Sequence, residues 1–237
     1  MIKSMTLVPA FHIRLRILRA RNGDHKRTPG SRRCNSMIAA VVLAAGMSTR
    51  MGRPKLSLPY GEHTVIEHII DTLLTLPLGE VLVITGHEQS QIETLLNRWP
   101  VRTVHNPDYR EGEMLSSLQT GLRSVAPINH AALLVLGDMP ALDSDVVRRL
   151  IQAYQASDGN AVVIPSYRMR AGHPVLIPRR YWQEILELPQ EANPRTVLRG
   201  PNTSVIWVQV NSPSVVQDID TPQDYERNLH QRDHRLD

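Results

Sequence analysis

The chain has 237 residues, 41% apolar and 21% charged, with a single Phe; this composition excludes general disorder and fits one large or two small domains with aliphatic cores. Cys34 is the only cysteine, which excludes an intrachain disulfide and a cysteine-built zinc or iron–sulfur site and points to a reducing compartment, the cytoplasm; no apolar run approaches the ~20 residues of a membrane span. The net charge of +4 is local: residues 1–36 hold nine basic groups against Asp24 alone, while the other 201 residues hold 18 basic and 22 acidic groups, which argues against a nucleic-acid surface on the folded part.

Residues 1–36 read as a disordered basic extension, or as the product of a start codon upstream of Met37. Arg32-Arg33 ahead of an apolar run superficially matches a twin-arginine signal, and the acid-poor leader a transit peptide, but cleavage there would remove the first strand. From Ile38 onward apolar runs alternate with helix-period segments, the mark of an α/β protein with a mostly parallel sheet. IAAVVLAA (38–45), EVLVITG (80–86), VRTVHN (101–106) and AALLVLGD (131–138) are expected strands, and 64–76, 88–98, 113–125 and 143–156 are expected crossover helices. After residue 160 the rhythm loosens into AVVIPSY (161–167), GHPVLIP (172–178), a helix near 181–188 and a strand at 204–210. A closing helix follows, with Thr221, Pro222 and Asp224 suited to its N-cap, first-turn and third positions. With no linker or repeat between 37 and 229, this stretch reads as one domain, followed by a polar tail, 230–237, that frays.

LAAGMSTRMGRPK (43–55) follows the first strand directly, where ligands of open α/β sheets gather. Gly46 and Gly52 would let the backbone take positive φ and approach a ligand, and Arg50 and Lys55 supply the charge an anion needs. A polyphosphate meets both demands. The spacing is neither GxGxxG nor GxxxxGK[ST], so dinucleotide oxidoreductases and P-loop NTPases lose weight. There is no GxSxG elbow for covalent hydrolase chemistry.

These residues carry a resemblance. The loop is similar to the pyrophosphorylase loop of the nucleotidylyltransferases, whose pattern reads LAxGxSxRMGxxK. NPDYREGEMLSSLQTGL (106–122), GDMP (137–140), GHPVL (172–176) and DIDTPQDY (218–225) resemble, in the same order, the MobA-like branch that includes the molybdenum cofactor cytidylyltransferases. The resemblance implies an α/β, Rossmann-like three-layer sandwich with a mostly parallel central sheet, of the nucleotide-diphospho-sugar transferase type. It implies transfer of CMP from CTP to a molybdopterin-type cofactor with release of pyrophosphate, Mg²⁺ or Mn²⁺ as cofactor, and a xanthine dehydrogenase-type molybdenum hydroxylase as partner.

Nucleotidyl transfer brings two anions together, so it calls for metal-binding carboxylates at strand ends and for cations on the departing pyrophosphate. Asp138 ends an apolar run and suits the first demand, with a turn aspartate as the plain alternative. By resemblance Asp138 and Asp220 hold the metal; Asp218 lies two residues from Asp220, and capping at Thr221 is the alternative for that pair. Arg50 and Lys55 are assigned to the β- and γ-phosphates. Leu43, Ala44, Ala45, Gly46, Ser48, Gly52 and Ser117 are expected on the nucleotide, with Ser116 and Ser117 equally explicable as helix capping. Gly172 and His173 fall on the acceptor side by resemblance, and His87 reads as a loop histidine near the base. The guanylyl-transferring relatives carry Gly and Asp where this chain has Ala45 and Pro54, which favours cytidine. A sugar- or polyol-phosphate nucleotidylyltransferase and a non-catalytic molybdenum-cofactor chaperone are the rival readings.

Overall fold

The computed structural model describes residues 37–111 and 113–233; the expectations for residues 1–36 and for the last four residues lie outside them. The strands are β1 (Ile38–Ala44), β2 (Pro59–Tyr60), β3 (His63–Thr64), β4 (Glu80–Thr85), β5 (Arg102–His105), β6 (Ala131–Leu136), β7 (Val162–Tyr167), β8 (Arg170–Ala171), β9 (Val175–Pro178) and β10 (Val205–Gln209). The α-helices are α1 (Val65–Leu74), α2 (Gln89–Leu96), α3 (Glu113–Ser124), α4 (Ser144–Ala156), α5 (Trp182–Leu186), α6 (Arg195–Leu198) and α7 (Pro222–Asp233).

Among the described residues eight strands make one sheet in the order β10-β7-β9-β6-β1-β4-β5, with β8 paired to β7. β1 is parallel to both β4 and β6, and β10 is parallel to β7, whereas β9 runs antiparallel to both of its neighbours. Central parallel strands are covered on both faces, which is why β1 is apolar throughout. Its Ile38, Ala40, Val42 and Ala44 enter a core formed with α1, α2 and α4, and its Ala39 and Val41 enter a second core formed with α3, α5 and α6. Two cores on one sheet make the three-layer sandwich expected from the sequence.

Local signals fix the helix starts. Thr64 caps α1 in a reciprocal capping box with Glu67, and Asp143 caps α4 through the amides of Asp145 and Val146. Glu67 is buried and accepts further bonds from Arg98 and Trp99. Burial works against its charge, but the bonds from Thr64, Trp99 and Arg98 hold the carboxyl below its usual range. Among the described residues no helix is long and apolar enough to cross a membrane.

The structure adds what periodicity does not carry. The hairpin of β2 and β3, the two-residue β8 and the single turn α6 are too short to show a period, and β9 looks in sequence like any other apolar strand although it reverses direction. The closing helix continues to Asp233, four residues past the expected end, where Arg232 lies over the Tyr60 ring at 5.2 Å.

Candidate active site

The carboxyl ends of β1, β4 and β6 open on one edge of the sheet, and the loop after β1 crosses it. That loop turns through a short 3-10 segment, Thr49–Met51, flanked by left-handed residues: Gly52 at φ 65° and Ser48 at φ 52°. The sequence expectation placed the first left-handed position at Gly46, and the structure moves it to Ser48. A serine is held there because its hydroxyl donates to Glu88 at 3.3 Å and accepts from the Lys55 amide at 3.3 Å. Gly46 instead lines a cleft, and a Cβ built on it would meet nothing within 4 Å, so its bare backbone leaves room for a ligand.

The loop delivers its two cations to the two expected aspartates. Lys55 Nζ donates to Asp138 Oδ2 at 2.6 Å and to Asp220 Oδ1 at 3.2 Å, while Arg50 Nη2 reaches Asp220 Oδ2 at 2.8 Å. Residues 55, 138 and 220 are thus adjacent in space, and Ile219 fastens the last segment to the end of β6 by donating its amide to the Asp138 carbonyl at 2.9 Å. Burial alone would push the Lys55 ammonium down; Asp138 and then Asp220 overcome it and hold the group above its ordinary range. Lys55 has 12% of its side chain exposed and Arg50 71%, so the first is screened from water by its ion pairs and the second stands largely in solvent.

Asp218 is pushed above the usual carboxylate range by partial burial and by the negative charge of Asp220 and Asp138. It makes no ion pair among the described residues, so of the two neighbouring aspartates Asp220 is the one committed to the cluster. The capping alternative for Asp220 falls away, because Thr221 forms its box with Asp224, three residues on.

Beside Asp138 lies a cleft of about 440 Å³ bordered by Leu43, Ala45, Gly46, Tyr109, Met114 and Ser117. Ser116 and Ser117 sit in the first turns of α3 with their hydroxyls accepting from Asn106 Nδ2 at 2.9 and 3.0 Å. They tie α3 to the end of β5, a role distinct from capping, and Ser117 still reaches the cleft. His87 is exposed and its ring tilts towards Tyr109 at 6.1 Å, which places it beside the cleft. Gly172 and His173 do not border this cleft. Gly172 packs on Val215, and His173 is half-buried with its amide donating to the Val215 carbonyl at 2.8 Å; desolvation drives its pKa to about 4 and keeps the imidazole neutral.

Sequence reasoning missed Tyr109, Arg110, Met114 and Glu88. The first three lie inside the 106–122 motif, and only the fold shows which of them face inward. Glu88 carried a faint signal, standing two residues after Gly86 at the end of β4; burial pushes its carboxyl up while Ser48 bonds to it.

Among the described residues no group of three or more His, Cys, Asp and Glu side chains is gathered to hold a metal unaided. The pair Asp138 and Asp220 nevertheless suits one, since their oxygens already surround a cation, the Lys55 ammonium. Mg²⁺ commonly takes one or two carboxylates and completes its shell with substrate phosphates and water.

A sequence profile of the MobA-like NTP transferase domain matches residues 40–205. The chain belongs to that family. The molybdenum cofactor cytidylyltransferase of Escherichia coli (strain K12) is 29% identical over 192 residues, which cover 80% of this chain and 94% of that protein. Nicotine blue oxidoreductase of Paenarthrobacter nicotinovorans is 30% identical over 190 residues, 78% of this chain and 92% of its own. The crystal structure of Rv0371c from Mycobacterium tuberculosis H37Rv superposes with a TM-score of 0.74 at 27% identity, covering 82% of this chain and 98% of that one. Its complex with manganese superposes with a TM-score of 0.69, so a divalent metal is bound by a structural relative of this MobA-like domain.

Proposed function

We propose that this protein transfers CMP from CTP to a molybdopterin-type molybdenum cofactor and releases pyrophosphate. The observation that carries the reading is the Lys55 ammonium held between Asp138 and Asp220 at the mouth of the cleft. The similarity to the E. coli cytidylyltransferase supports the choice of nucleotide and acceptor.

In the reaction a phosphate oxygen of the acceptor forms a bond to the α-phosphorus of CTP, and the bond from that phosphorus to the bridging oxygen breaks. Pyrophosphate leaves with the electron pair. The cleft beside Ala45, Tyr109 and Ser117 takes the base and ribose, with bare backbone at Gly46 allowing close approach. Lys55 and Arg50 turn from the carboxylates to the β- and γ-phosphates and stabilise the charge that builds on the leaving group. Asp138 and Asp220, freed of those ion pairs, would hold Mg²⁺. When bound there, the metal would supply positive charge between the two anionic reactants. Ser48 and Glu88 keep the loop in its left-handed turn. The dinucleotide product would pass, in the cytoplasm, to a molybdenum hydroxylase of the xanthine dehydrogenase type.

The relative named as an oxidoreductase favours a redox reading at almost the same identity. Against it, the complete set of Arg50, Lys55, Asp138 and Asp220 serves triphosphate chemistry and has no part in electron transfer. Calorimetric titration of the purified protein with each nucleoside triphosphate and Mg²⁺ tests the reading. Tight binding of CTP over GTP, UTP and ATP, lost in Asp138→Asn, is expected; equal binding of all four would remove the cytidylyl assignment.

A further inference from the structure

The loop after β6, which carries Asp138, also borders a second recess of about 180 Å³, formed with Tyr60, His68, Pro140, Leu142, Asn228 and Arg232 and sharing no residue with the nucleotide cleft. Two polar atoms on its border are buried and unmet. Asn228, 4% exposed, donates its Nδ2 to the Asp224 carbonyl at 2.9 Å, which fixes the amide and leaves Oδ1 without a donor among the described residues. Arg232, one turn further along α7, donates Nε to Asp233 Oδ1 at 2.9 Å and Nη2 to the same oxygen, while Nη1 is buried with no acceptor. Four positions apart, the two side chains share one face of the helix. Burying a polar atom unpaired is costly, and a ligand that pairs both would recover that cost.

The rest of the border says what such a ligand carries. No carboxylate lines the recess. Burial, and after it His63, holds His68 below its ordinary range despite Asp71, so the imidazole is neutral and Arg232 is the one charged side chain there. Its guanidinium is set in place over the Tyr60 ring at 5.2 Å and above Gly61, where a Cβ would stand 3.0 Å from Nη1. The Tyr60 ring lies 4.9 Å from that of His68, and Pro140 and Leu142 add apolar surface. The fitting molecule has an anionic oxygen for Arg232, an O–H or N–H donor for Asn228 about one helical turn (~5 Å) away, and an apolar body between them.

We propose that this recess binds a small hydroxycarboxylic acid and that the bound acid acts on the pair Asp138 and Asp220. The walls of the recess are the two segments that carry these aspartates: residues 140–142 follow Asp138, and α7 follows Asp220. The Ile219 amide, donating to the Asp138 carbonyl at 2.9 Å, already ties the near ends of the two segments. A ligand that holds α7 to residues 140–142 therefore bears on the spacing of the two carboxylates. The coupling rests on the metal-binding role proposed above for the aspartates; the binding itself does not.

Calorimetric titration of the full chain with para-hydroxybenzoate, which carries its carboxylate and hydroxyl at opposite ends of an apolar ring, tests the site. Saturable binding is expected, weaker by about tenfold in Arg232→Met and in Asn228→Leu, as for loss of a hydrogen bond to a charged or buried group. The wild type should lose about as much with benzoate, which lacks the donor, and with para-hydroxybenzamide, which lacks the charge, so the test stays decisive where a variant fails to fold. Mn²⁺ affinity, read from its electron paramagnetic resonance signal, should change by about fivefold or more with the acid present, and the affinity for the acid by the same factor with Mn²⁺ present. No saturable binding at millimolar concentrations, or binding indifferent to both variants and both analogues, would overturn the site. Binding that leaves Mn²⁺ affinity unchanged would overturn the coupling and keep the site, whereas a protein that binds the acid yet releases no pyrophosphate would overturn the transfer reaction alone.

Discussion

Lys55→Met should move metal binding and catalysis in opposite directions. The ammonium sits 2.6 Å from Asp138 and 3.2 Å from Asp220, on oxygens that a divalent cation would use. At an effective dielectric of about 20, those separations correspond to gross attractions of about 6 and about 5 kcal/mol. Desolvation of a mostly buried ammonium offsets much of this, leaving a net of about 1–3 kcal/mol, the range of hydrogen bonds to charged groups. A metal arriving without nucleotide must displace that interaction. Methionine keeps the length of the side chain without its charge, so affinity for Mn²⁺ alone should rise by about 10- to 100-fold, at about 1.4 kcal/mol for each factor of ten. Pyrophosphate release should fall by about a hundred- to a thousandfold, because the cation that stabilised the leaving group is gone. Free Mn²⁺ is read from its electron paramagnetic resonance signal, with circular dichroism to show that the variant is folded. A folded Lys55→Met protein that binds Mn²⁺ no better than wild type would refute the idea that lysine and metal share one seat.

Three further outcomes follow from the geometry. Gly172→Ala would set a Cβ 2.2 Å from the Val215 carbonyl oxygen, a backbone atom that cannot rotate away, so thermal unfolding should show a loss of about 1–3 kcal/mol. Gln119→Ala leaves the carbonyls of Ile185 and Leu188 without their shared donor and should cost about 1–3 kcal/mol in urea unfolding, with the segment between α5 and α6 exchanging amide hydrogens first. His173, depressed from 6.5 to about 4 by burial and by Arg195 and Arg199 against the pull of Asp138, binds its proton more readily in the unfolded chain. The metal-free protein should therefore lose stability as pH falls through 6.5, the loss being complete near 4, and His173→Gln should flatten that limb of the melting profile.

Much of this site could be read from the sequence because the signals are local. β1, β4 and β6 are apolar runs closed by a glycine or by the Gly-Asp pair, and α1, α3 and α4 carry long apolar stripes, so their ends are found to within one or two residues. Arg50, Lys55, Asp138 and Asp220 belong to short motifs, and the fold brings all four together as expected. What escaped depends on tertiary contact. Serine has no propensity that announces a left-handed Ser48, which exists because Glu88 and the Lys55 amide hold its hydroxyl across 40 and seven residues of chain. Gly172 and His173, on the acceptor side by motif, stand just before the reversed strand β9 and pack on Val215, outside the nucleotide cleft. α6, one turn long, has no period to detect.

The central claim is tested most directly by pyrophosphate release from the purified full chain with Mg²⁺, offered CTP, GTP, UTP and ATP in turn, with and without molybdopterin. Release that requires both CTP and the cofactor, and that disappears in Asp138→Asn and Asp220→Asn, is the predicted result. Folded protein that stays silent with CTP and intact cofactor, or that releases pyrophosphate equally well without the cofactor, would contradict it.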